Sequence, residues 1–489
     1  MQIKPLSIKP KLLSDFDPAI FTESVSITGV CINAQRVEPG DLFIACPGQN
    51  FHGKDFISQA IANGAVAVLS DVKIDCSIPS FTHKQPRALV GELSSWVYEK
   101  PFEKLSAVGI TGTNGKTTTA NLVSQILNLN SSKCGLIGTL GIEINDQMVK
   151  GSRTTPEADE LQAIARAMVD QGCSHLSMEV SSHAIVQNRI KGASFKLVAF
   201  SNLTQDHLDY HKTMQAYFEA KAALFTSDYA QKAVINIDDA YGEKLLNQTQ
   251  LPLITVSRTK PSAHWYFEKS ELRNNSYDVA IKGIGGEVIK GIFPLIGDYN
   301  LDNLILAIAI THQLGISSEQ ISNTLSRLKS VPGRLETVNA GQPFIGLVDY
   351  AHTPDAVQNV IATARKLTAG KVIGVLGCGG DRDSSKRPLM GQALFQGCDV
   401  SIFTSDNPRN ESADSILKEM ISGLDLGQKG EVCIDRREAI SLAVNKANAG
   451  DVVLIMGKGH ESGQEISGVV TPFDDRLELA QAILKQGNK

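Results

Sequence analysis

The chain has 489 residues, of which 42% are hydrophobic and 20% charged, a composition typical of a globular protein of about three domains. Its 47 basic and 52 acidic residues give a net charge of -5, which argues against a general nucleic-acid binder, because such proteins need a basic surface. The first residues lack the apolar segment of a secretory signal, and no apolar run approaches the ~20 residues of a membrane helix. We therefore expect a cytoplasmic protein with no nucleic-acid partner and no membrane insertion.

The first ~90 residues predict a small α/β domain. Strand-like runs at 41–46 and 65–70 are bounded by turn residues, and a helix-like segment lies between them. A Pro-Gly break in VPGRLE, at 331–336, marks a later boundary. We predict three domains, at 1–88, 89–332 and 333–489.

A phosphate-binding loop is predicted at the start of the second domain. The string GTNGKTT, residues 112–118, follows an apolar strand pattern and precedes a helix pattern. Glycines let backbone N–H groups approach phosphate, Lys116 would neutralise it, and the Thr117 hydroxyl suits Mg²⁺. The match is imperfect, because Ile110 stands where the strict pattern has glycine. An ordinary glycine turn is the alternative interpretation.

Acidic and histidine groups follow in the same domain. Glu179 lies in MEVSSH at a predicted strand end, where a carboxylate suits Mg²⁺, and His207 lies in DHLDYH. On spacing alone these groups are also typical of surface residues or core histidines. Lys221 lies in a helical pattern, and its local spacing predicts an ordinary solvated lysine.

The last ~155 residues alternate strand and helix patterns, which predicts a mostly parallel sheet. Polar strings follow the strands: DYAH, GCGGDRD, SDNPR and GKGHE. Ligands bind beyond the C-terminal ends of such strands, so we expect a second site there. The eight cysteines are scattered without metal-binding spacing, which favours free thiols in a reducing compartment.

Taken in order, ten strings resemble those of the Mur ligase family, from about residue 25 to the end: GTNGKTT, TTP, MEVSSH, DHLDYH, GDYNLDN, PGRLE, DYAHTPD, GCGGDRD, DNPR and GKGHE. The ordered set is far more specific than any single string. The resemblance implies an α/β fold with a UDP-binding N-terminal domain, a central P-loop ATPase domain and a C-terminal Rossmann-like domain that binds the incoming amino acid. It also implies an ATP-dependent ligase that activates a carboxylate as an acyl phosphate and releases ADP and phosphate.

The same resemblance implies the site residues. The ATP-binding groups are Gly112, Thr113, Asn114, Gly115, Lys116, Thr117, Thr118, Asn303, Arg334, Asp349 and His352. The metal-site groups are Thr117, Glu179, His207 and Lys221, the last as a carbamate formed with CO₂, and the catalytic groups are Lys116, Glu179, His207 and Lys221. The UDP-substrate contacts are Thr154, Thr155, Ser181, Gln187 and Arg189.

DNPR, which is Asp406, Asn407, Pro408 and Arg409, resembles the signature of family members that add meso-diaminopimelate. A guanidinium binds the second carboxylate of that amino acid and would repel the terminal ammonium of lysine. Arg382, Gly457 and Glu461 match other residues of that site. The expected substrates are ATP with Mg²⁺, UDP-N-acetylmuramoyl-L-alanyl-D-glutamate and meso-2,6-diaminopimelate, and we expect a monomer.

Two segments depart from the family pattern. Asn33-Ala34-Gln35 stands where Asp-Ser-Arg is frequent, and Arg153 precedes Thr154 where Asn is common. The alternatives within the family are ligases that add lysine, D-Ala-D-Ala or glutamate to folate. A P-loop GTPase would need a guanine-specificity string, and an inactive binding protein would not need Lys116, Glu179, His207 and Lys221 together.

Overall fold

The computed structural model describes residues 3, 5–48, 51–151, 153–273 and 276–487. Within these residues the chain forms three main β-sheets that follow one another along the sequence. Each sheet has hydrophobic clusters on both faces, as expected of an α/β protein whose strands are covered by helices. The predicted α/β fold class is confirmed.

The first sheet is small and parallel. Its four described strands, in spatial order, are Gly29–Cys31, Asp41–Ala45, Ala67–Ser70 and Ser80–Thr82. The strands Lys11–Leu12 and Ser26–Ile27 pair separately, and the helices are Ile57–Ala62 and Pro86–Val97. Helix Pro86–Val97 packs Val90, Leu93 and Val97 into the core of this sheet and crosses the domain limit predicted after residue 88.

The second sheet is large and mostly parallel. In spatial order its described strands are Gln147–Val149, Gly141–Ile144, Cys134–Gly138, His175–Glu179, Ser106–Thr111, Leu197–Phe200, Ala233–Asn236, Leu253–Ser257, Trp265–Arg273, Ser276–Lys282 and Val288–Phe293. The parallel strands lie in the middle, and antiparallel strands extend both edges. The strand that leads into GTNGKTT is therefore central.

The helices of this part lie on both faces of the sheet. They are Pro101–Lys104, Lys116–Leu129, Ala158–Asp170, Ser182–Val186, Leu208–His211, Met214–Ala222, Ala240–Leu246, Asp298–Gln313 and Ser318–Thr324. The apolar run at 304–310 lies in the buried helix Asp298–Gln313. None of the described helices has the length and apolar character needed to cross a bilayer.

The third sheet has the spatial order Glu336–Val338, Ile345–Asp349, Val452–Met456, Val372–Cys378, Val400–Ser405 and Gly430–Val432, and only its first described strand is antiparallel. Its helices are Pro354–Lys366, Arg387–Gly397, Ala413–Met420, Arg436–Lys446 and Asp475–Gly487. A hairpin of strands Gly463–Ile466 and Val469–Pro472 projects beside the strand ends. The polar strings DYAH, GCGGDRD, DNPR and GKGHE all follow strands of this sheet.

Candidate active site

The loop 112–115 connects the central strand Ser106–Thr111 to helix Lys116–Leu129. Gly115 has a φ of +85°, and a Cβ there would lie 2.2 Å from Asn303 Oδ1, so only glycine fits. The Lys116 amine folds back over the loop and donates to the carbonyls of Gly112 (2.9 Å) and Thr113 (2.8 Å). The loop has the strand, turn and helix context of a phosphate-binding loop.

Glu179 ends the neighbouring strand and faces this loop. Its carboxylate accepts from the Thr117 hydroxyl (3.0 Å), the Thr139 hydroxyl (3.2 Å) and the Thr139 backbone N–H (2.7 Å). A Cβ on Gly138 would lie 2.3 Å from Glu179 Oε1, so the carboxylate occupies space that glycine leaves. Two of the predicted metal-site groups, Thr117 and Glu179, are therefore in direct contact.

Lys221 is buried, with 1% of its surface exposed. Its amine donates to Gly112 O (2.7 Å) and lies 4.6 Å from the centre of the Tyr217 ring. Among the described residues, no carboxylate lies within ion-pair distance of this amine, and burial lowers its pKa well below the usual value. The interpretation of Lys221 as a solvated helix lysine is wrong, because the surface of its helix that carries Lys221 packs under the phosphate loop.

His207 and Asp206 lie beside this group. Burial lowers the pKa of His207 to about 3, so its imidazole is neutral. Burial would raise the pKa of Asp206, but the nearby His352 ring and the charge of Lys386 hold that pKa well below the usual value. Lys386 Nζ lies 3.0 Å from Asp206 Oδ1, and His352 Nε2 lies 3.6 Å from Asp206 Oδ2. Asp206 belongs to the central domain, whereas Lys386 and His352 belong to the C-terminal part of the chain. Asp206 therefore contacts two residues across a domain interface.

Two cavities meet at the phosphate loop. One, of about 160 Å³, is lined by Lys116, Thr117, Thr154, Glu179, Ser181, His207 and Lys221. The other, of about 250 Å³, is lined by Asn114, Gly115, Thr118, Asn303, Arg334, Asp349 and His352. The fold therefore brings the residues predicted for ATP and metal from distant motifs to one cleft.

Arg334, from PGRLE, crosses to the central domain. It donates to the Thr117 hydroxyl (3.1 Å) and stacks its guanidinium 4.5 Å from the centre of the Tyr350 ring. Asp349 accepts from the backbone N–H groups of Leu335 (2.6 Å) and Ala351 (2.7 Å), and burial raises its pKa. Asp349 thus fixes the segment that carries Arg334.

The residues predicted to contact the UDP-substrate form a chain of contacts next to Glu179. Thr155 donates to Glu179 O (2.9 Å) and accepts from the Ser181 N–H (3.1 Å). Arg189 donates to Gln187 Oε1 (2.5 Å) and to Thr155 O (3.4 Å). Thr154 lies 3.2 Å from the Thr139 hydroxyl. All five predicted residues are therefore connected through Thr139, Thr155 and Glu179.

The sequence analysis missed an acidic residue in this region. Glu157 lies within 2.9 to 3.2 Å of three guanidinium groups, those of Arg87, Arg153 and Arg189. Arg87 belongs to the helix that packs on the first sheet. The three arginines around one carboxylate leave a net positive charge beside the predicted UDP-substrate contacts.

The residues predicted to bind diaminopimelate gather at the ends of the third sheet. Asn407 Nδ2 donates to Glu461 Oε2 (2.8 Å), and Gly457, with a φ of +114°, leaves room for Asp406. Lys458, which is fully buried, donates to Asn407 Oδ1 (3.0 Å), Glu461 Oε2 (3.1 Å) and Gly463 O (2.7 Å). The sequence analysis passed over Lys458 although it lies inside GKGHE.

Arg409 has a φ of +54°, unusual for a residue with a side chain. Its guanidinium donates to Gly380 O (2.6 Å) and lies 3.5 Å from Glu465 Oε2. The hairpin holds its backbone, because Arg409 N–H donates to Glu465 O (3.1 Å) and Arg409 O accepts from Ser467 N–H (2.7 Å). Arg382 is exposed, and within the described residues it has no carboxylate partner. Pro408 precedes Arg409 in the same loop.

A phosphate loop that faces a buried carboxylate, a buried lysine and an imidazole at a domain interface is the arrangement of a phosphoryl-transfer enzyme. Three family profiles match this chain: "Mur ligase family, catalytic domain" at 26–90, "Mur ligase middle domain" at 110–311, and "Mur ligase, glutamate ligase domain" at 333–459. The chain therefore belongs to the Mur ligase family of ATP-dependent, amide-bond-forming enzymes.

Three of the similar proteins share one name. A protein of Streptomyces coelicolor is 43% identical, covering 94% of this chain and 93% of its own, and one of Aquifex aeolicus is 41% identical, covering 92% of each. Both are named UDP-N-acetylmuramoyl-L-alanyl-D-glutamate–2,6-diaminopimelate ligase. A solved structure of a protein with that name is 33% identical and has a TM-score of 0.70, covering 98% of this chain and 100% of its own.

Proposed function

We propose that this chain joins meso-2,6-diaminopimelate to UDP-N-acetylmuramoyl-L-alanyl-D-glutamate, using ATP to activate the D-glutamate side-chain carboxylate as an acyl phosphate. The observation that carries the proposal is the position of Arg409, partly buried against Gly380 O and Glu465 in the loop that also carries Asn407, whose side chain contacts Glu461. A guanidinium there can bind the distal carboxylate of diaminopimelate in a bidentate pair. The names of the similar proteins support the same substrate.

Electrostatics disfavours the lysine-adding alternative. The terminal ammonium of lysine would stand where diaminopimelate offers a carboxylate, next to the Arg409 guanidinium. The nearest compensating carboxylate, Glu465, is partly exposed and lies 3.5 Å away. Solvent weakens such a pair, so Arg409 keeps most of its attraction for an anion.

We propose that the ATP phosphates bind at loop 112–118, with Lys116 neutralising the transferred group and Arg334 contributing charge from the C-terminal domain. The 250 Å³ cavity beside the loop supports a nucleoside site that includes Asn303, Asp349 and His352. Because the cavity is formed by both domains, closure excludes water from the acyl phosphate.

The residues present fit a magnesium ion. Oxygen ligands suit Mg²⁺, and Thr117 and Glu179 offer a hydroxyl and a carboxylate in contact, with the neutral imidazole of His207 on the same cavity. Among the described residues no three His, Cys, Asp or Glu side chains converge, so the proposed ligand set depends on the Thr117 hydroxyl and on Lys221 as a carbamate. Bound Mg²⁺ would supply neutralisation of phosphate charge.

The surroundings of Lys221 support the carbamate. A buried ammonium with no carboxylate partner among the described residues is unfavourable, and the uncharged amine is the form that adds to CO₂. Addition forms an N–C bond, releases one proton and leaves an anion on Lys221. That anion would balance the charge of Lys116, which also contacts Gly112 O.

The proposed reaction begins when a carboxylate oxygen of the substrate attacks the terminal phosphorus of ATP and ADP leaves. The amine of diaminopimelate then attacks the acyl carbon, and phosphate leaves as the amide forms. A base must take a proton from the attacking amine, and His207 and His352 line the cavity at which the two domains meet. Thr154, Thr155, Ser181, Gln187 and Arg189 are proposed to hold the UDP-substrate.

We propose the predicted domain limits with one change. The first limit belongs between Val97 and Pro101, because Val97 packs on the first sheet and Phe102 packs in the core of the second. The second limit stays at 332/333. ATP and UDP-linked precursors are cytoplasmic metabolites, which favours a cytoplasmic enzyme, and we propose that it acts as a monomer.

The test is phosphate release by the purified chain with ATP, Mg²⁺ and UDP-N-acetylmuramoyl-L-alanyl-D-glutamate, comparing meso-diaminopimelate with L-lysine. We expect release with diaminopimelate and at least tenfold less kcat/KM with lysine. Equal release with both would disprove the specificity argument. Absence of release with either, once mass spectrometry has established carbamylation of Lys221, would disprove the proposed substrates.

A further inference from the structure

A buried ion pair joins the two domains next to the phosphate site. Lys386 Nζ lies 3.0 Å from Asp206 Oδ1, and the side chains are 10% and 5% exposed. Lys386 ends the loop 379–386, here called the amino-acid loop, which also carries Arg382 of the proposed amino-acid site and Gly380, whose carbonyl accepts from Arg409. Asp206 precedes His207 on the central domain. The pair therefore connects the amino-acid loop of one domain to the phosphate cavity of the other.

The neighbours of Asp206 make the position of Lys386 specific. Asp206 accepts from the His207 backbone N–H (2.9 Å) and faces the His352 ring at 3.6 Å. Next to the ion pair, Gln205 Nε2 donates to Ser385 Oγ (3.1 Å), so two successive residues of each domain meet. A buried pair of opposite charges is costly unless both partners are well placed, so it favours one relative orientation of the domains.

A second ion pair between the same domains provides a comparison. Lys366 Nζ lies 2.9 Å from Asp298 Oδ2, but these side chains are 51% and 39% exposed. Solvent screens such a pair, and its contribution to the closed orientation is small. The two lysines thus form ion pairs of similar length but differ in burial, and only Lys386 belongs to the amino-acid loop.

We infer that Lys386 is a positioning residue: by pairing with Asp206 it docks loop 379–386 against the central domain and so assembles the amino-acid site over the phosphate cavity. Its role in amino-acid binding rests on the proposed function, whereas its role in domain closure does not. Lys386 acts through Asp206 and the loop, without touching the reacting atoms.

The experiment compares Lys386→Met, Lys386→Arg and the control Lys366→Met with the unchanged chain. We expect Lys386→Met to raise the KM for meso-diaminopimelate at least tenfold and to change the KM for the UDP-substrate less than twofold, because that substrate is bound by the other domains. Lys386→Arg keeps the charge and should recover part of the loss. Lys366→Met should change each constant less than twofold.

X-ray scattering with Mg²⁺ and a non-hydrolysable ATP analogue provides a readout that does not need turnover. We expect a compact profile for the unchanged chain and for Lys366→Met, and a larger radius of gyration for Lys386→Met. Equal compactness of all three, or no compaction of the unchanged chain, would overturn the inference. If the unchanged chain does not use diaminopimelate, the proposed function fails, and the scattering comparison still decides whether Lys386 holds the domains together.

Discussion

The phosphate site and the proposed amino-acid site are built in different ways. The first lies at the ends of central strands, and its charged groups, Lys221 above all, are buried by the core of one domain. The second lies on loops and a hairpin, where Arg409 is partly exposed and Arg382 is exposed. The buried site suits chemistry that all family members share, and the looser site suits the choice of one amino acid. The variants below test this contrast, from the largest expected effect to the smallest.

Lys221→Ala should give the largest loss. Removing the proposed carbamate takes away an anion from the buried site, and we expect kcat to fall by about 10³-fold. A short carboxylate such as formate, supplied in solution, should restore part of the activity. The assay is phosphate release, with Lys196→Ala, which replaces an exposed lysine, as the control. Full activity of Lys221→Ala would disprove the carbamate.

Arg409→Ala should affect one substrate only. Loss of a charge-assisted pair with the distal carboxylate should raise the KM for diaminopimelate ~10- to 100-fold and leave the KM for ATP unchanged. The control is Arg437→Ala, because Arg437 is an exposed arginine of the same domain that pairs with Glu478. An equal rise in both constants would point to a folding defect and against a specific role.

Gly380→Ala tests whether the amino-acid loop needs its close packing. A Cβ at Gly380 would lie 1.9 Å from the carbonyl oxygen of Pro408, so the loop that carries Arg409 must move. We expect the KM for diaminopimelate to rise about tenfold, because a small displacement misplaces the guanidinium. Gly487→Ala, where a Cβ meets open space, is the control. Unchanged kinetics would show that the loop adapts.

Glu465→Gln should produce the smallest change, in the opposite direction. The Glu465 carboxylate lies 3.5 Å from the Arg409 guanidinium and competes with the substrate for it. Because the pair is partly exposed, its removal should lower the KM for diaminopimelate only about two- to threefold. A higher KM would instead mean that Glu465 holds Arg409 in position.

The sequence predicted the parts of the fold and site that depend on local pattern. The phosphate loop lies between a strand and a helix as expected, and Glu179 ends a strand, because apolar runs bounded by turn residues define such elements. The C-terminal strands and helices were predicted for the same reason. The first domain limit stays a prediction, and the helix Pro86–Val97 runs through residue 88 without a break.

Contacts between residues far apart in the sequence could not be predicted from the local sequence pattern. The burial of Lys221 depends on which side of its helix faces the phosphate loop. The residues adjacent to Lys221 do not indicate which side that is. Asp206 and Lys386 are 180 positions apart, and their ion pair exists only because two domains meet. Lys458 lies within a recognised string, yet its burial depends on hydrogen bonds to Asn407, 51 positions earlier, and to Gly463 at the start of the hairpin.

The hairpin at Gly463–Pro472 has a consequence for how substrate choice can change during evolution. Arg409 adopts a left-handed backbone conformation that costs ~1 kcal/mol or more, and hydrogen bonds to the hairpin strand Gly463–Ile466 and to Ser467 hold it there. A relative that replaces the arginine while keeping the hairpin retains the strained geometry without its benefit. A change of specificity to another amino-acid substrate therefore requires the loop and the hairpin to change together. We expect a single mutation to be insufficient for such a change.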